Sequence, residues 1–196
     1  FFFKQKTAYE IYQCDWSSDV CSSDLMHRPE ATEYAPYYGG YINQTTEGED
    51  LFDVMASQAA GLRSALADVQ EEKGTHAYAD GKWTIKELLS HIIDGERIFG
   101  YRALRISRGD QTPIEGFEQD DYIVTSNANE RTFADLLDEF DLHRQSNMLM
   151  LRSISDEASR RMGTASDNPI SARAIAYIMA GHVRHHERIL KERYLS

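Results

Sequence analysis

The chain has 196 residues, of which 32 are acidic and 21 basic, so its formal net charge is −11. This charge argues against nucleic acid as a partner, because phosphate binding needs a basic surface. The length suits one domain with a single core, and no apolar run is long enough to cross a membrane.

The first 25 residues do not read like protein, because residues 4–10 and 15–25 both match one reading frame of a common sequencing adapter. We therefore expect residues 1–25 to be an artefactual leader and Met26 to begin a single native domain over 26–196. Without the leader, 19 basic and 28 acidic residues leave a charge of −9. Both cysteines, Cys14 and Cys21, fall in the leader. A native part with neither cysteines nor a secretory signal is expected to be cytoplasmic and to bind metal through imidazole or carboxylate alone.

Four segments have the apolar periodicity of amphipathic helices. They cover residues 49–72, 84–109, 133–154 and 171 to the C-terminus. Thr84 with Glu87 forms a capping box, and Thr132 and Ser171 are further N-cap candidates. No segment shows the alternation that predicts strands joined by hairpin turns.

The connections predict how these helices are arranged. Antiparallel neighbours need only short loops, yet residues 109–131 form a long connection between the second and third helices. Such a connection suits a crossover that joins parallel helices. The sequence therefore predicts an all-α four-helix bundle with up-down-down-up topology.

Three histidines fall on the apolar faces of two of these helices. His182 and His186 are four residues apart, so they share a helix face, whereas His185 points about 100° away. His91 lies on the apolar face of the second helix. In an antiparallel pair, counting 1.5 Å per residue places all three at similar depth.

Three neutral imidazoles with an open coordination position describe a catalytic metal site, and both zinc and nickel fit it. Asp94, one turn after His91, is a candidate to orient a ligand, although a surface acid on a helix is the commoner case. The alternative is a set of hydrogen-bonded core histidines.

The remaining charged and histidine residues near these helices are expected to take no part. Glu96 and Arg97 are interpreted as an exposed pair. His143 is expected on an exposed face with Arg144, and His27 and His76 in flexible ends or loops.

Other site types are missing from the sequence. No glutamate stands three residues before a histidine, which excludes the paired Glu-x-x-His of di-iron bundles. The stretch "HHERIL" starts like a zincin motif, but Leu190 stands where the second histidine should be. No dinucleotide, Walker or nucleophile-elbow motif occurs.

The chain resembles the DinB/YfiT-like family of metalloenzymes over essentially all of 26–196. The resemblance rests on "GKWTIKELLSHIIDGERIFGYRALR" (81–105) and "AGHVRHHERIL" (180–190), supported by "YAPYYGGYI" (34–42), "GFEQDDY" (116–122) and "GTASDNP" (163–169). It implies an up-down-down-up bundle with a three-histidine site at His91, His182 and His186. It also implies either hydrolysis or transfer that uses a low-molecular-weight thiol.

The surroundings of the site are open to two interpretations. The crossover either brings Gln119, Asp120 and Tyr122 near the metal or only seals the side of the bundle. Tyr37, Tyr38 and Tyr41 are expected to cover apolar surface.

Two functions follow from these readings. The first is a metal-dependent enzyme that activates water or a thiol against a small-molecule substrate. The alternative is a non-catalytic, stress-related metal-binding or structural module. Either form is a candidate homodimer.

Overall fold

The computed structural model describes residues 26–196, so the predicted leader with its two cysteines lies outside the described residues. The helices and strands follow in chain order: α1 (Gly39–Ile42), α2 (Leu51–Leu66), α3 (Ile85–Ser107), α4 (Gln119–Thr125), α5 (Phe133–Arg152), α6 (Asp156–Ser159), β1 (Met162–Ala165), β2 (Asn168–Ser171) and α7 (Ala172–Ile189). Short 3-10 turns cover Ala31–Glu33, Pro36–Tyr38, Glu71–Thr75 and Ala128–Glu130, and a π-helical turn, Leu190–Tyr194, follows α7.

The predicted caps of three long helices are confirmed. Thr84, Thr132 and Ser171 each accept a hydrogen bond from the backbone N–H three residues on, and Thr84 and Glu87 form the full capping box. None of the helices within 26–196 is long and apolar enough to span a membrane.

The first long helix is shorter than predicted, because it ends at Leu66 rather than near residue 72. Gln70 leaves the helical region with ψ 143°, and the 3-10 turn Glu71–Thr75 follows. The Glu71 carboxylate lies 2.7 Å from Lys86 Nζ and accepts from the backbone N–H of Phe133. Contacts with α3 and α5 therefore override the helical periodicity of this segment.

The bundle has the predicted up-down-down-up topology. Helix α2 runs antiparallel to α5 and parallel to α7, while α3 runs parallel to α5 and antiparallel to α7. The contacts that establish these directions are Phe52 with Arg152 and Arg63 with Asp138 for α2 and α5, Gln58 with Ala180 and Gly61 with Glu187 for α2 and α7, Lys86 with Phe133 and Glu96 with Arg144 for α3 and α5, and Trp83 with Tyr194 and His91 with His182 for α3 and α7.

Two apolar clusters fill the bundle, one toward each end. The first holds Met55, Ala103, Leu151 and Ile178 among others, and the second holds residues such as Leu62. Between them each long helix contributes buried polar groups at the same height. This polar layer comprises Gln58 of α2, Glu96 of α3, Arg144 of α5 and the Ala180 carbonyl of α7.

The expectation that no strands occur is wrong. β1 and β2 pair antiparallel through a two-residue turn, and Ser166 and Asp167 at its centre have φ of 50° and 61°. Two consecutive left-handed residues match the geometry of tight hairpin turns, which usually carry Asn-Gly or Asp-Gly. The strands are four residues long and Pro169 interrupts the second, so the sequence pattern is too weak to predict them.

Candidate metal centre

The structure brings His91, His182 and His186 together inside the bundle. All three are buried, with at most 7 % of each side chain exposed. His182 Nε2 lies 2.9 Å from His91 Nε2 and 3.1 Å from His186 Nε2. One nitrogen from each ring falls within a group 4.8 Å across, and no carboxylate or thiol of the described chain joins it.

Protons cannot satisfy this arrangement. A ring nitrogen has either one hydrogen or one lone pair in the ring plane, so His182 Nε2 can complete a hydrogen bond with only one of its two neighbours. A cation accepts all three lone pairs at once. Metal–nitrogen bonds of about 2.0–2.1 Å meeting at about 90–110° separate ligand nitrogens by roughly 3 Å. The two nitrogen pairs that include His182 have this separation. The donor set therefore fits a divalent metal.

Burial keeps these imidazoles neutral. It lowers the pKa of His91 to about 4, with Asp120 acting against the shift and His185 adding to it. Burial, together with the neighbouring His91 and His185, lowers the pKa of His186 to about 2, and the pKa of His182 falls well below its usual range for the same main reason. The ligands are therefore deprotonated at neutral pH, as metal binding requires.

Aromatic rings hold the histidines in place. The ring centroid of Trp83 lies 4.6 Å from that of His91. The centroids of Tyr41 and Phe99 lie 5.5 and 5.6 Å from that of His182, in T-shaped contacts. Gly95 lets the His182 ring approach α3, because a Cβ at this position would lie 3.0 Å from His182 Cε1. The site is thus positioned by packing rather than by carboxylates.

The histidines open onto two cavities. His91 and His182 line a cavity of about 770 Å³, and His186 lines a second one of about 310 Å³. His185, as predicted, does not join the cluster: it packs on Tyr41 and contacts Arg188. A metal held by the three buried nitrogens would therefore be reachable by small molecules.

The crossover between α3 and α5 lines the two cavities beside the histidines and does not only cover the side of the bundle. Gln119 and Asp120 of α4 line both cavities, and Tyr122 lines the larger one. Asp94 lies elsewhere: its Oδ1 is 3.5 Å from Arg97 Nη1, and the described chain shows no hydrogen bond from it to the three histidines. Its role as an orienting residue stays a prediction without a contact to support it.

Tyr38 and Tyr41 cover apolar surface as predicted, because they pack on the first apolar cluster, but the N-terminal tyrosines also have a second position. Tyr37, Tyr38 and Tyr41 all line the larger cavity. Tyr38 is buried in the core at the same time, whereas Tyr37 is 59 % exposed. The 3-10 turn Pro36–Tyr38 and α1 place them there, and no periodic pattern in the sequence indicates this position.

The interpretation of Glu96 and Arg97 as an exposed pair is wrong, as is the exposed position of Arg144. Glu96 and Arg144 are each 2 % exposed, and Arg144 Nη2 donates to Glu96 Oε1 at 2.6 Å. Arg144 also donates to Gln58, and Asn147 donates to both the backbone and the carboxylate of Glu96. Arg97 pairs instead with Glu139 on the surface. Glu96 faces inward because it follows His91 and Ile92 on the core side of α3.

The sequence analysis did not predict two residues that line the larger cavity. Arg102 lines the larger cavity although it stands among the polar residues of α3, and Phe99 appears in the sequence only as one of many core positions. Gly95, one turn from His91, carries a usable signal, since a glycine inside a strong helix indicates a close approach.

Comparisons with known proteins identify a family and a similar fold. The DinB superfamily matches residues 55–190. Among solved structures the chain is similar to YfiT from Bacillus subtilis, described as a probable metal-dependent hydrolase with an unusual four-helix bundle topology. The TM-score is 0.67 at 16 % identity, covering 85 % of this chain and 90 % of YfiT, so the likeness concerns the fold. No curated protein sequence matches the chain.

Proposed function

The chain belongs to the DinB superfamily, and from that premise we propose that it is a metal-dependent enzyme in which His91, His182 and His186 hold a divalent ion. Zinc and nickel are the candidate ions, since imidazole ligands suit both. The reaction is hydrolysis of a small molecule or transfer to a low-molecular-weight thiol. The description of YfiT as a probable metal-dependent hydrolase supports the first of these.

The observation that carries the proposal is that three buried nitrogens converge beside open space. A structural metal site is closed by a fourth protein ligand, whereas a catalytic one keeps a position open. Here no fourth His, Cys, Asp or Glu of the described chain joins the group, and His91 and His182 line the larger cavity. A non-catalytic metal-binding or structural module has no use for such access.

The bound ion would supply a Lewis acid that lowers the pKa of water or a thiol. The chain's own residues hold three neutral imidazoles in place, with Trp83 and Phe99 excluding water from the sides they cover. Asp120 is the candidate proton acceptor, because it lines both cavities and its charge acts on His91. Gln119 and Tyr122 supply neutral polar groups on the same wall.

We further propose that the enzyme works in the cytoplasm on a small molecule, with neither nucleic acid nor membrane as partner. The net charge of −11 supports the exclusion of nucleic acid. A homodimer through α5 fits the structure, because Leu142 and Leu149 lie seven residues apart and are 68 % and 65 % exposed.

Metal loading of a ligand variant tests the proposal. His182→Ala should lose stoichiometric zinc or nickel, as measured by elemental analysis after loading and desalting. His185→Ala, on the same helix but outside the cluster, is the matched control and should keep the ion. Metal at a hundredfold excess over its dissociation constant should raise the free energy of unfolding by about 2.7 kcal/mol in wild type and in the control only.

The outcome against the proposal is equally concrete. If wild type and His182→Ala both lack stoichiometric metal after loading, the metal site does not exist. If a chelator leaves the melting temperature of the loaded wild type unchanged, the histidines serve the fold alone.

A further inference from the structure

Arg102 of α3 is a buried charge without an acidic partner. Its residue is 3 % exposed, and within 26–196 it forms no ion pair. Nη2 donates to the Glu115 carbonyl at 3.0 Å and to Ser166 Oγ at 2.9 Å, and both acceptors are neutral. Nε is buried with no hydrogen-bond partner at all. A guanidinium is always charged in proteins, and no carboxylate of residues 26–196 pairs with this one.

The other deeply buried arginines show what is missing. Arg144 donates to the Glu96 carboxylate at 2.6 Å, and Arg173 Nε donates to the Glu33 carboxylate at 2.8 Å. Burying an arginine is costly unless an anion compensates it. Arg102 differs from both in one more respect, since it lines the larger cavity. Its hydrogen bonds tie the crossover to the β1–β2 turn, but they use only Nη2 and leave the charge uncompensated.

Arg102 and the histidines lie at two ends of the same cavity. Gly95, which touches His182, and Arg102 are seven residues apart on α3, or about 10 Å along the helix. Phe99 lies between them on α3, and Phe117 and Tyr37 add further aromatic rings to the lining of the cavity. An extended ligand of about six carbons spans this distance with one end at Arg102 and the other toward the histidines.

We propose that the larger cavity binds an organic acid whose single carboxylate pairs with Arg102 and whose uncharged body lies along the aromatic wall toward His182. A single carboxylate fits better than a polyphosphate, because four acidic residues also line the cavity and repel additional negative charge: Glu118, Asp120, Asp121 and Asp167. The placement of the other end of the ligand beside the histidines rests on the proposed metal function. The pairing of the carboxylate with Arg102 does not depend on that function.

Matched probe pairs test the anchor on the full chain. Zinc-loaded protein is titrated in a calorimeter with 6-mercaptohexanoate and with 6-mercaptohexanol, which differ at the end remote from the thiol. Metal-free protein is titrated with hexanoate and with hexanamide, followed by ligand-observed NMR. Wild type should bind each acid about 10- to 100-fold more tightly than its neutral partner, the range expected for hydrogen bonds to a charged group.

Variants then assign the preference to a residue. Arg102→Gln should reduce the acid preference to less than about threefold, and Arg102→Lys, which keeps the charge but loses the planar fork, should retain part of it. Arg105→Gln is the matched control, since Arg105 lies one turn away and pairs with Asp110. Arg105 lines the neighbouring cavity, which Arg102 also borders, but it does not line the larger one. The Arg105→Gln variant should keep the full preference. Circular dichroism checks that each variant is folded.

Each result decides the question. Equal binding of acid and neutral probe by wild type, or no measurable acid binding, overturns the proposal even if Arg102→Gln does not fold. An undiminished acid preference in folded Arg102→Gln or Arg102→Lys overturns it too. Loss of zinc binding with a preserved hexanoate preference contradicts the metal function and leaves the anchor standing. Zinc binding without any acid preference leaves the metal function standing and contradicts the anchor at Arg102.

Discussion

Two buried polar clusters lie side by side in the bundle and differ in how they are satisfied. In the first, Glu96 and Arg144 pair their charges, and Gln58 and Asn147 take further hydrogen bonds. In the second, His182 Nε2 faces the Nε2 atoms of both His91 and His186, and His186 Nδ1 has no hydrogen-bond partner among the described residues. In the first cluster the charges are balanced within the protein, although Arg144 Nε has no hydrogen-bond partner among residues 26–196. The second cluster can be satisfied only by something from outside.

This difference distinguishes buried polar groups that stabilise the fold from buried polar groups that bind a ligand. A buried charge costs free energy unless it is paired, so a charge-balanced network stabilises a particular packing of the four helices. A buried cluster with unsatisfied polar atoms lowers the stability of the fold, so its presence indicates that the cluster binds a ligand. The same contrast divides Arg144, with its carboxylate, from Arg102, without one.

The largest expected effect comes from breaking the charge-balanced cluster of Glu96 and Arg144. Glu96→Ala leaves the Arg144 charge buried and unpaired, and it should lower the free energy of unfolding by about 3–5 kcal/mol. Urea unfolding of the metal-free protein measures this. Zinc stoichiometry of the folded variant should stay unchanged.

Two controls sharpen that result. Asp138→Ala removes an exposed partner of Arg63 and should cost less than about 1 kcal/mol. Replacing both members, as Glu96→Leu with Arg144→Met, should recover most of the loss, since no charge stays unpaired. A loss below 1 kcal/mol for Glu96→Ala alone would show that water or rearrangement satisfies Arg144.

A paired but less central carboxylate gives an intermediate effect. Burial raises the pKa of Glu33, but hydrogen bonds from Arg173 and Ser171 outweigh it and bring the pKa to about 2, below the ordinary 4.5. A pKa lowered by folding stabilises the protein above pH 4.5, and this contribution is lost as the pH falls toward 2. Wild type should exceed Glu33→Gln by about 1.5–3 kcal/mol at neutral pH and lose that advantage in acid.

Urea titrations between pH 7 and pH 2 follow this difference. Glu157→Gln, at an 89 % exposed side chain, is the control and should track the wild type throughout. Parallel curves for wild type and Glu33→Gln would mean that the Arg173 pair forms equally well with protonated Glu33.

The smallest effect is expected from disturbing the incomplete cluster at its edge. Gly95→Ala places a Cβ 3.0 Å from His182 Cε1, so the ring must move by a few tenths of an ångström. Zinc affinity should fall about tenfold, the lower end for changes that misorient a ligand, while metal-free stability changes little. A competition titration with a chromophoric chelator measures it. Gly40→Ala, where a Cβ meets nothing within 4 Å, should leave the affinity unchanged, and equal affinities for both variants would contradict the close-packing argument.

The positions of the buried polar residues can largely be predicted from the sequence. In α2, α3 and α5 the spacing of core positions runs through Gln58, Glu96 and Arg144, and charged residues at core spacing indicate a buried polar layer. The interpretation of Glu96 as exposed overlooked this spacing in favour of its neighbour Arg97. Which partner each charge takes depends on helices that lie far apart in the sequence, and no local pattern determines it.

The sequence by itself determined the four amphipathic helices, three of their caps and the shared depth of His91, His182 and His186, because periodicity and rise per residue are local properties of the backbone. Only the tertiary structure decided that the crossover and the N-terminal tyrosines enclose a cavity. It alone also decided that Glu71 ends the first helix early and that Arg144 has a carboxylate while Arg102 has none. Those outcomes depend on the packing of distant segments, where the cost of each buried charge is balanced by groups far away along the chain.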